Sequence, residues 1–516
     1  MKNSGKLLII ILSVVFVLYL RVMLCNPLSF GDEGYHMSIA KQIYENKEYP
    51  RYVEFESTLS QKANYSSPPL FHFVLAGLFT IFGFNETVVK IFIPFVAVFG
   101  VGFLVYHFGK KAFNEETAFL SSIILVTTPA FVTYSVLVYR DILFMFFYAG
   151  FILSLIIFSK FSNTKTRKFR SARCKYIVLI GIFAGLSILT RRFGYTIFPI
   201  IILTMIYDVI RTKKADMKMK TVARYFLIMY LAFLIASPYI IKTINTYGNI
   251  GLPTNLEKIT FDIQRNPNSG TEQSLSSYGV LNCLSFVYGS PLIPLFFIFA
   301  IFTWSLKDKR FIILLISFIV FIPILYMTQV KVESMVRYTL GALVSIVFIA
   351  SLGIKNMTNN ICDTSNWKII FMIFILIICF SNLILKLVSM QVAKNIPEEF
   401  IESCEWIKNN TKEDAIIFTV WGHKTAYLSQ RTVSKYYGLD GWEGLVFSND
   451  IKTAMSVIEK HGITHIFIQK PSIHEGKYME TYPTEFVEFL ENNPDYFRKI
   501  FENYGQYGNI VYEVIK

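Results

Sequence analysis

The sequence predicts a polytopic α-helical membrane protein that ends in a small α/β domain. Of its 516 residues, 53% are hydrophobic and only 17% are charged, whereas a soluble domain carries about 25% charged residues. Twelve apolar runs of roughly bilayer-spanning length follow one another. They cover residues 7–24, 69–84, 88–108, 117–138, 142–159, 176–190, 195–210, 224–243, 283–304, 311–327, 338–354 and 368–388. This pattern excludes a soluble enzyme, a disordered chain and a collagen.

The positions of lysine and arginine assign the two sides of the membrane, because loops rich in these residues stay in the cytoplasm. Lys2 and Lys6 place the N-terminus inside, and no small-residue cleavage site follows Leu24, so the first run is expected to be an uncleaved anchor. The strongest inside signal is segment 160–175, which holds seven Lys and Arg and no acid, and segment 211–224 adds six more.

The run 69–84 does not fit a simple alternation of sides. The loops before and after it both fall outside, so it must cross the membrane either twice or not at all. It is short, opens with two prolines and contains two glycines, which favours a re-entrant or surface-lying helix. The alternative is that it spans and that Lys110 and Lys111 break the positive-inside rule. The first interpretation leaves eleven spans and puts the C-terminus outside.

The tail is the only long segment with a water-soluble composition. Residues 390–516 carry 13 Lys and Arg against 18 Asp and Glu. Helical patterns at 398–409 and 451–461 alternate with strand-like stretches at 415–420, 463–468 and 510–514. The sequence therefore predicts a membrane domain over 1–389 and an extracytoplasmic α/β domain over 390–516.

The formal net charge of +14 does not indicate nucleic acid as a partner. Most cations mark cytoplasmic loops, and no basic stripe interleaved with aromatic residues occurs in a soluble segment. The six cysteines show no CxxC spacing and the seven histidines no HxxxH or HExxH pair, so a dedicated metal site is not expected. A divalent cation shared by Asp32, Glu33 and Asp141 stays open.

The outer face carries charges that topology does not require. The first group follows the first apolar run and reads Gly-Asp-Glu-Gly-Tyr-His over residues 31–36. Asp32 and Glu33 can supply a general base or bind a cation, and the flanking glycines let the backbone approach a ligand. An equally weighted alternative is that Asp32 merely caps the helix that follows.

Two further outer groups contain arginine. Arg140 and Asp141 lie at the lip of a hairpin between two apolar runs, where an Arg–Asp pair that only closes the hairpin is the alternative. Arg191 and Arg192 lie in a short outer turn, against the positive-inside tendency. Guanidinium groups bind phosphate in a bidentate manner, and the alternative is that these side chains snorkel to lipid headgroups.

A fourth group precedes the run 338–354. It contains Lys331, Glu333, Arg337 and Tyr338, and it is a second candidate for an anion clamp. The expected ligand of these cations is a lipid phosphate or diphosphate.

In order along the chain, these motifs resemble the GT-C membrane glycosyltransferases, most closely the branch of protein O-mannosyltransferases and lipid A aminoarabinose transferases. The similarity rests on Gly-Asp-Glu in the first outer loop, Pro-Pro-Leu-Phe before an apolar run, a Gly-Lys-Lys turn, Thr-Pro before the Arg-Asp hairpin and Arg-Tyr before a late run. It covers roughly residues 1–355, and the tail is similar to the less constrained outer domain of many prokaryotic members.

The resemblance implies an inverting transfer of a sugar from a polyisoprenyl-phosphate donor to a protein, lipid or glycan acceptor on the outer face of the plasma membrane. It implies that Asp32, with Glu33 beside it, is the base or orients the acceptor, and that Asp141 helps to place the acceptor or the donor sugar. The substrate-binding residues expected on this basis and from the residues themselves are Tyr35, His36, Arg140, Arg191, Arg192, Lys331, Arg337 and Tyr338. Many relatives have Lys before Pro-Pro where this chain has Ser66-Ser67, so Arg191 is expected to replace that charge.

Two other functions compete with this one. A transporter or lipid flippase without chemistry needs ionisable residues near the bilayer midplane and often inverted repeats, whereas the charges here cluster at the ends of the runs. A ligase that moves whole glycans from a diphosphate lipid would be favoured by a long loop rich in His and Arg, but loop 245–282 holds only Lys258 and Arg265 as cations. No nucleotide or redox cofactor is required for the transfer, because the leaving phosphate is already a stable anion.

Overall fold

Contacts divide the protein into two units. The computed structural model describes residues 4–28, 31–55, 67–161, 167–247, 289–290, 292–303, 308–322, 332–361, 365–435, 442–474, 482–504 and 508–515. The first unit consists of Met1–Leu24, Tyr65–Phe71 and Thr87–Met390, and the second of Cys25–Asn64, His72–Glu86 and Gln391–Lys516. The last segment of the second unit begins beside the boundary that the sequence predicts, and the unit also includes the first outer loop.

The first unit is helical. Its helices cover Ser4–Leu24, Glu86–Phe95, Phe103–Ala112, Glu115–Thr127, Pro129–Ser135, Asp141–Phe161, Arg167–Thr190, Ile197–Arg211, Ala215–Tyr247, Leu292–Thr303, Lys309–Ile319, Val332–Ile361 and Ser365–Ala393. A π-helical stretch, Val96–Gly102, joins the second helix to the third, and Pro129 starts a new helix after a 63° bend.

Each of the twelve predicted apolar runs contains a helix. Among the described residues, eight helices are long and apolar enough to cross a membrane, or nine if the bent pair counts as one span. The helices Leu292–Thr303 and Lys309–Ile319 are shorter, with 12 and 11 residues. The chain is therefore a multi-pass membrane protein, and the total of eleven to twelve spans stays a prediction.

The first helix illustrates why these segments need a lipid solvent. Its side chains Leu8 and Leu12 are fully buried, whereas Ile10 and Val17 on the opposite face are each 62% exposed. A helix that is apolar all round cannot face water on one side without exposing hydrocarbon. We infer that the exposed face contacts lipid tails.

One end of the helical unit gathers residues that the charge distribution assigns to the cytoplasm. The Lys160 ammonium donates a hydrogen bond to the main-chain oxygen of Lys111 at 2.7 Å, and Lys355 pairs with Glu116 at 3.4 Å. Asp141, at the other end of the helix that carries Lys160, contacts Arg191 instead. Residues predicted on the same side thus contact one another, while the orientation of the bundle in the membrane stays a prediction.

The same contacts bear on the ambiguous run 69–84. The Ser4 hydroxyl donates a hydrogen bond to Glu115, so the first helix begins at the end that holds Lys111 and Lys160. The first helix leads away from this end and Glu86–Ala112 returns to it, so the chain between them makes no net crossing. Its helix, Leu70–Phe82, has 13 residues, or about 20 Å, against about 30 Å of hydrocarbon. These facts favour a re-entrant or surface-lying helix.

The tail forms the α/β fold that its sequence predicts. Its strands are β1 Ile416–Thr419, β2 Thr432–Lys435, β3 His465–Gln469, β4 Ile473–His474, β5 Tyr482–Pro483, β6 Phe497–Glu502 and β7 Asn509–Val514. A five-stranded sheet has the order β2-β1-β3-β7-β6, in which β1 runs parallel to β2 and β3 while β7 runs antiparallel to β3 and β6. The strands β4 and β5 form a separate parallel pair.

Helices cover both faces of this sheet. They are Glu398–Asn410, Gly422–Ser429, Trp442–Val446, Ile451–His461 and Thr484–Glu491. Alternate residues of β3 enter two different cores, since Ile466 and Ile468 pack with the helix Ile451–His461 and Phe467 packs with Glu398–Asn410. Because both faces are buried, β3 is apolar along most of its length, which is the pattern that predicts it.

Four strands were not predicted: β2 and β6 of the five-stranded sheet, and the two-residue strands β4 and β5. The strands β2 and β6 lie at the edges of the sheet, where a strand is covered on fewer sides, and half or more of the residues in their sequences, Thr-Val-Ser-Lys and Phe-Arg-Lys-Ile-Phe-Glu, are polar. A register shift between Lys499 and Phe501 further interrupts the alternation in β6.

Cysteine labelling tests the assignment of sides. In a background in which Cys25, Cys174, Cys283 and Cys362 are replaced, so that only the buried Cys379 and Cys404 stay, we expect a cysteine at position 192 to react with an impermeant maleimide from outside intact cells. A cysteine at position 213, an exposed lysine in the chain, should react only in inverted vesicles. Labelling of both from one side would contradict the two-ended assignment, and reversed labelling would invert the orientation.

Candidate active site

A buried network of opposite charges lies at one end of the helical unit. Asp141 begins the helix Asp141–Phe161 and is fully buried, and Arg191 directly after the helix Arg167–Thr190 is 3% exposed. The Arg191 guanidinium pairs with the Asp141 carboxylate, and Arg337 Nε lies 3.2 Å from the other carboxylate oxygen. Arg191 also donates a hydrogen bond to the main-chain oxygen of Arg337 at 2.9 Å.

The sequence left open whether Asp141 only closes its hairpin and whether Arg191 snorkels to lipid headgroups, and this geometry bears on both alternatives. The carboxylate of Asp141 contacts Arg191 and Arg337, which come from distant parts of the chain, so its role is not limited to closing its own hairpin. A side chain as buried as Arg191, with a carboxylate partner, is not snorkelling to headgroups. Two guanidinium groups against one carboxylate leave a net positive charge at this position.

Aromatic rings complete the surroundings of the two guanidinium groups. The Arg337 guanidinium lies 4.4 Å from the ring centroid of Tyr139, and that of Arg191 lies 5.4 Å from the ring centroid of Phe193. A cation over an aromatic face is stabilised by the ring quadrupole. These rings help to fix the planes of the two guanidinium groups before any ligand binds.

The other cations predicted here are placed less fully. Arg140 and Arg192 are half-buried neighbours in sequence of Asp141 and Arg191. Lys331 lies outside the described residues, as does the side chain of Tyr338, whose backbone belongs to the helix Val332–Ile361. Their roles in substrate binding stay predictions.

The second unit holds the other predicted acids. Gly31, at φ 53°, turns the chain into the helix Glu33–Asn46, and Asp32 occupies the N-cap position. The Asp32 side chain makes no capping hydrogen bond to this helix. The capping alternative therefore does not account for the carboxylate of Asp32, which is half-buried.

Glu33 has a structural partner that the sequence did not suggest. Its carboxylate lies 2.9 Å from the ammonium of Lys394, and both side chains are fully buried. Because a buried carboxylate held by an ammonium has lost its exchange with water, Glu33 is better suited to fixing the helix than to taking protons. Asp32 is then the better candidate for a base.

Gly34 allows a helix of the tail to approach the first outer helix closely. A Cβ atom at this position would lie 2.9 Å from Tyr427 Cβ and 3.1 Å from the main-chain oxygen of His423. The Tyr427 hydroxyl donates a hydrogen bond to Glu86. Burial raises the pKa of Tyr427 well above its usual range, and the nearby charges of Glu86 and Glu33 raise it further.

Two histidines and a tyrosine are joined by hydrogen bonds beside these acids. His36 Nδ1 lies 2.8 Å from His72 Nε2, and His72 Nδ1 lies 2.9 Å from the Tyr49 hydroxyl. His36 is 1% exposed and His72 is fully buried. The Tyr35 ring meets the edges of His36, His72 and His423.

The residues that the structure describes contain no group of three or more His, Cys, Asp or Glu that could hold a metal ion. Of the acids considered for a cation, Glu33 contacts Lys394, and Asp141 contacts two arginines. These contacts supply the positive charge that a cation would otherwise bring.

Comparison with known proteins identifies the family of the central region. Residues 66–241 match the model of the dolichyl-phosphate-mannose-protein mannosyltransferases. These residues form a mannosyltransferase-family domain. An uncharacterized protein of Aquifex aeolicus (strain VF5) is 24% identical over 360 residues, which are 69% of this chain and 66% of that protein.

Solved structures are similar over nearly the whole chain. The archaeal oligosaccharyltransferase AglB from Archaeoglobus fulgidus gives a TM-score of 0.63 at 14% identity and covers 90% of this chain and 70% of its own. ArnT from Cupriavidus metallidurans gives 0.62 at 11% identity, with 99% of both chains covered. The mycobacterial arabinofuranosyltransferase AftD gives 0.58 at 11% identity, covering 98% of this chain and 40% of its own. The chain thus has the GT-C fold, and its mannosyltransferase-family domain supports a membrane glycosyltransferase.

Sequence reasoning missed three residues of this GT-C protein. Lys394 directly follows the last apolar helix on the predicted outer side, and a cation there is unexpected by the positive-inside rule, so this signal was available. His72 is a histidine within an apolar helix, which is a weaker signal. No sequence signal distinguishes Tyr49, because a tyrosine in an outer loop is common.

Paired substitutions test the role of Lys394. Lys394→Met leaves the carboxylate of Glu33 buried without its ammonium, and we expect the free energy of unfolding to fall by about 3–5 kcal/mol. The double variant Glu33→Met with Lys394→Met removes both charges and should recover most of this loss. Thermal unfolding of the purified protein in detergent measures both changes.

The pair is assigned wrongly if Lys394→Met unfolds like the unmodified protein, or if the double variant is as unstable as the sum of the two single variants. Lys41→Met is a matched control, because Lys41 forms a partly exposed i,i+4 pair with Glu45 at 3.8 Å and lies 5.8 Å from the ring centroid of Phe84, and exposed i,i+4 pairs contribute about 0.3–0.5 kcal/mol.

Proposed function

We propose that this protein transfers a glycosyl group from a polyisoprenyl-phosphate donor to an acceptor hydroxyl on the outer face of the plasma membrane, with inversion at the anomeric carbon. The N-terminus would lie in the cytoplasm and the tail outside. The acceptor is a protein, a lipid or a glycan. The observation that carries the proposal is the buried network in which Arg191 and Arg337 share Asp141.

The network suits the phosphate of the donor. Arg191 and Arg337 bring two positive charges to one carboxylate, and the excess charge favours an anion. Asp141 holds one oxygen against each guanidinium, which keeps both forks oriented at a low cost in side-chain entropy. As the bond to the sugar breaks, negative charge grows on the leaving phosphate, and preorganised cations stabilise it without reorganisation.

Asp32 suits the acceptor. Its carboxylate is half-buried at the start of a helix, and it is not used for capping. A carboxylate at this position can accept the proton of an attacking hydroxyl. Glu33 beside it is held by Lys394.

The solved relatives support the class of donor. AglB was solved with an inhibitory peptide and a dolichol-phosphate, and ArnT with undecaprenyl phosphate. Both ligands are polyisoprenyl phosphates, and the match of residues 66–241 concerns transferases that use dolichyl-phosphate-mannose. We extend this donor class to the present chain because two oriented guanidinium groups share one carboxylate, and their excess positive charge suits a phosphate.

A transfer assay tests the proposal. Purified protein is incubated with radiolabelled polyprenyl-phosphate sugars and candidate acceptors. We expect Asp32→Asn to lower transfer by about 10²–10⁴-fold, the usual contribution of a positioned base. Asp216→Asn is a matched control, because Asp216 is exposed and pairs with Lys220 in a predicted cytoplasmic segment, and it should transfer normally.

The donor site is tested by its own pair of variants. Arg191→Lys keeps the charge but loses the fork, so we expect a raised KM for the donor, whereas the exposed Arg211→Lys should leave KM unchanged. Full transfer by stably folded Asp32→Asn would contradict the assignment of the base. If the protein moves the intact donor across a liposome membrane and transfers no sugar, the alternative function of a lipid flippase is indicated instead.

A further inference from the structure

The hydrogen-bonded group of His36, His72 and Tyr49 has no role in the function proposed so far. We propose that His36 is the proton-accepting partner of Asp32, and that His72 and Tyr49 are positioning residues that hold His36 in the tautomer with the proton on Nδ1. This inference rests on the proposed function, in which the acceptor proton must leave the site. It assigns a role to two buried histidines and a half-buried tyrosine.

Hydrogen-bond donors and acceptors along the group permit this arrangement. A neutral imidazole has one N–H donor and one acceptor nitrogen. If His36 Nδ1–H donates to His72 Nε2 over 2.8 Å, then His72 carries its own proton on Nδ1 and donates to the Tyr49 oxygen over 2.9 Å. His36 Nε2 is then left as an acceptor. The arrangement is the one by which a third group orients a catalytic base.

The same contacts stabilise the protonated form of His36. Imidazolium has two N–H donors, and in the proposed tautomer the Nδ1 donor has His72 Nε2, 2.8 Å away, as its acceptor. No ring needs to rotate and no tautomer needs to change when the proton arrives. Each positioned acceptor therefore favours the charged form of a residue that burial alone would keep neutral.

Asp32 lies where it can deliver the proton. The main-chain N–H of His36 donates to the main-chain oxygen of Asp32 at 3.0 Å, so the two residues are one helical turn apart. Side chains four residues apart lie on the same face of a helix, with Cβ atoms about 5–6 Å apart. A carboxyl group and an imidazole at that spacing exchange a proton directly or through one water molecule.

Packing holds the group rigid. Ile39 and Ile43 of the helix that carries His36 pack with Ala76 of the helix that carries His72. The loop with Tyr49 is tied to the first of these helices, because the main-chain N–H of Glu54 donates to the Gln42 side chain at 3.1 Å. Preorganisation of this kind is what a base needs to keep a fixed tautomer.

Several elements of the second unit bring titratable groups to the surroundings of His36. The helix of His36 contributes Asp32, Tyr35 and the pair of Glu33 with Lys394, and the helix Leu70–Phe82 contributes His72. The adjoining loop contributes Tyr49 through His72. The tail helix Gly422–Ser429 contributes His423, which meets the other side of Tyr35, together with Lys424 and Tyr427.

The transfer step balances as follows. The acceptor oxygen forms a bond to the anomeric carbon, the bond from that carbon to the phosphate oxygen breaks, and its electron pair stays on the phosphate. The acceptor proton goes to the carboxylate of Asp32 and then to His36 Nε2, so Asp32 is ionised again. The imidazolium releases this proton to water when the product leaves.

The pH dependence of kcat/KM tests the inference. In the unmodified protein the rate should fall on the acid side, because His36 must be neutral to accept a proton. His36→Phe should lower kcat at least about tenfold and remove this limb. His72→Phe should lower kcat with little change in KM and move the limb to lower pH, because the imidazolium loses its acceptor.

Conservative variants separate positioning from folding. In His72→Gln the amide oxygen can accept from His36 and the amide N–H can donate to Tyr49, so most of the rate and the position of the limb should return. Tyr49→Phe should show part of the fall in kcat and part of the shift of the acid limb that are expected for His72→Phe. Tyr44→Phe is the matched control, because Tyr44 packs against Phe79 outside the group, and it should behave like the unmodified protein.

The outcomes distinguish this inference from the proposed function. If the unmodified protein transfers sugar and Asp32→Asn does not, but the acid limb stays in place in His36→Phe and His72→Phe, the inference is wrong and the function stands. If the unmodified protein does not transfer, the function fails. In either case ¹⁵N NMR of the histidine-labelled full chain provides an independent measurement, since a His36 ring protonated on Nε2 instead of Nδ1 would overturn the inference.

Discussion

The sharing of one buried carboxylate by two guanidinium groups is the constraint on which the membrane unit depends. Asp141, Arg191 and Arg337 come from the start of one helix, the end of a second and the start of a third. Each would be costly to bury alone, by several kcal/mol per ion. The three helix ends must therefore meet at this position, and their meeting fixes which ends of the bundle lie together.

The same physical requirement organises the second unit around a different pair. Glu33 and Lys394 are 361 residues apart in sequence and fully buried. Their attraction fixes the start of the helix that carries Asp32 and His36 to the segment that enters the tail. The two adjacent acids thus have different surroundings, because Glu33 is paired with Lys394 and Asp32 makes no side-chain cap to the helix. Two carboxylates that are neighbours in sequence therefore need not have the same partners in the structure.

The sequence predicted the parts of this protein that depend on local physics. Apolar runs had to become helices, and the lysines around residues 160–175 had to lie at one end, because both follow from the transfer free energy of short segments. The arginines of the outer turns could be singled out because they contradict that rule. The helix and strand alternation of the tail followed from periodicity, which did not reveal the edge strands β2 and β6 or the two-residue strands β4 and β5.

The partners of these residues could not be predicted, because pairing is a property of the fold. Nothing near Glu33 in sequence points to Lys394, and nothing near His36 points to His72 or Tyr49. The sequence also left Asp32 undecided between a cap and a base, and only the helix geometry, with no side-chain cap from Asp32, removed the first of these. Single residues with unusual chemistry were therefore visible in advance, whereas their division of labour was not.

In the function that we propose, each unit supplies ionisable groups for one half of a glycosyl transfer. The helical unit supplies paired guanidinium groups, which suit a leaving phosphate whose lipid tail lies among helices. The second unit supplies a carboxylate and imidazoles, which suit the proton of an acceptor that arrives from water. Because Lys394 and the close approach at Gly34 connect the tail to the helix of Asp32, changes in the tail should act on the acceptor half of the reaction. A tail of this kind can then differ between transferases that share one class of donor, since the donor half is built from other residues.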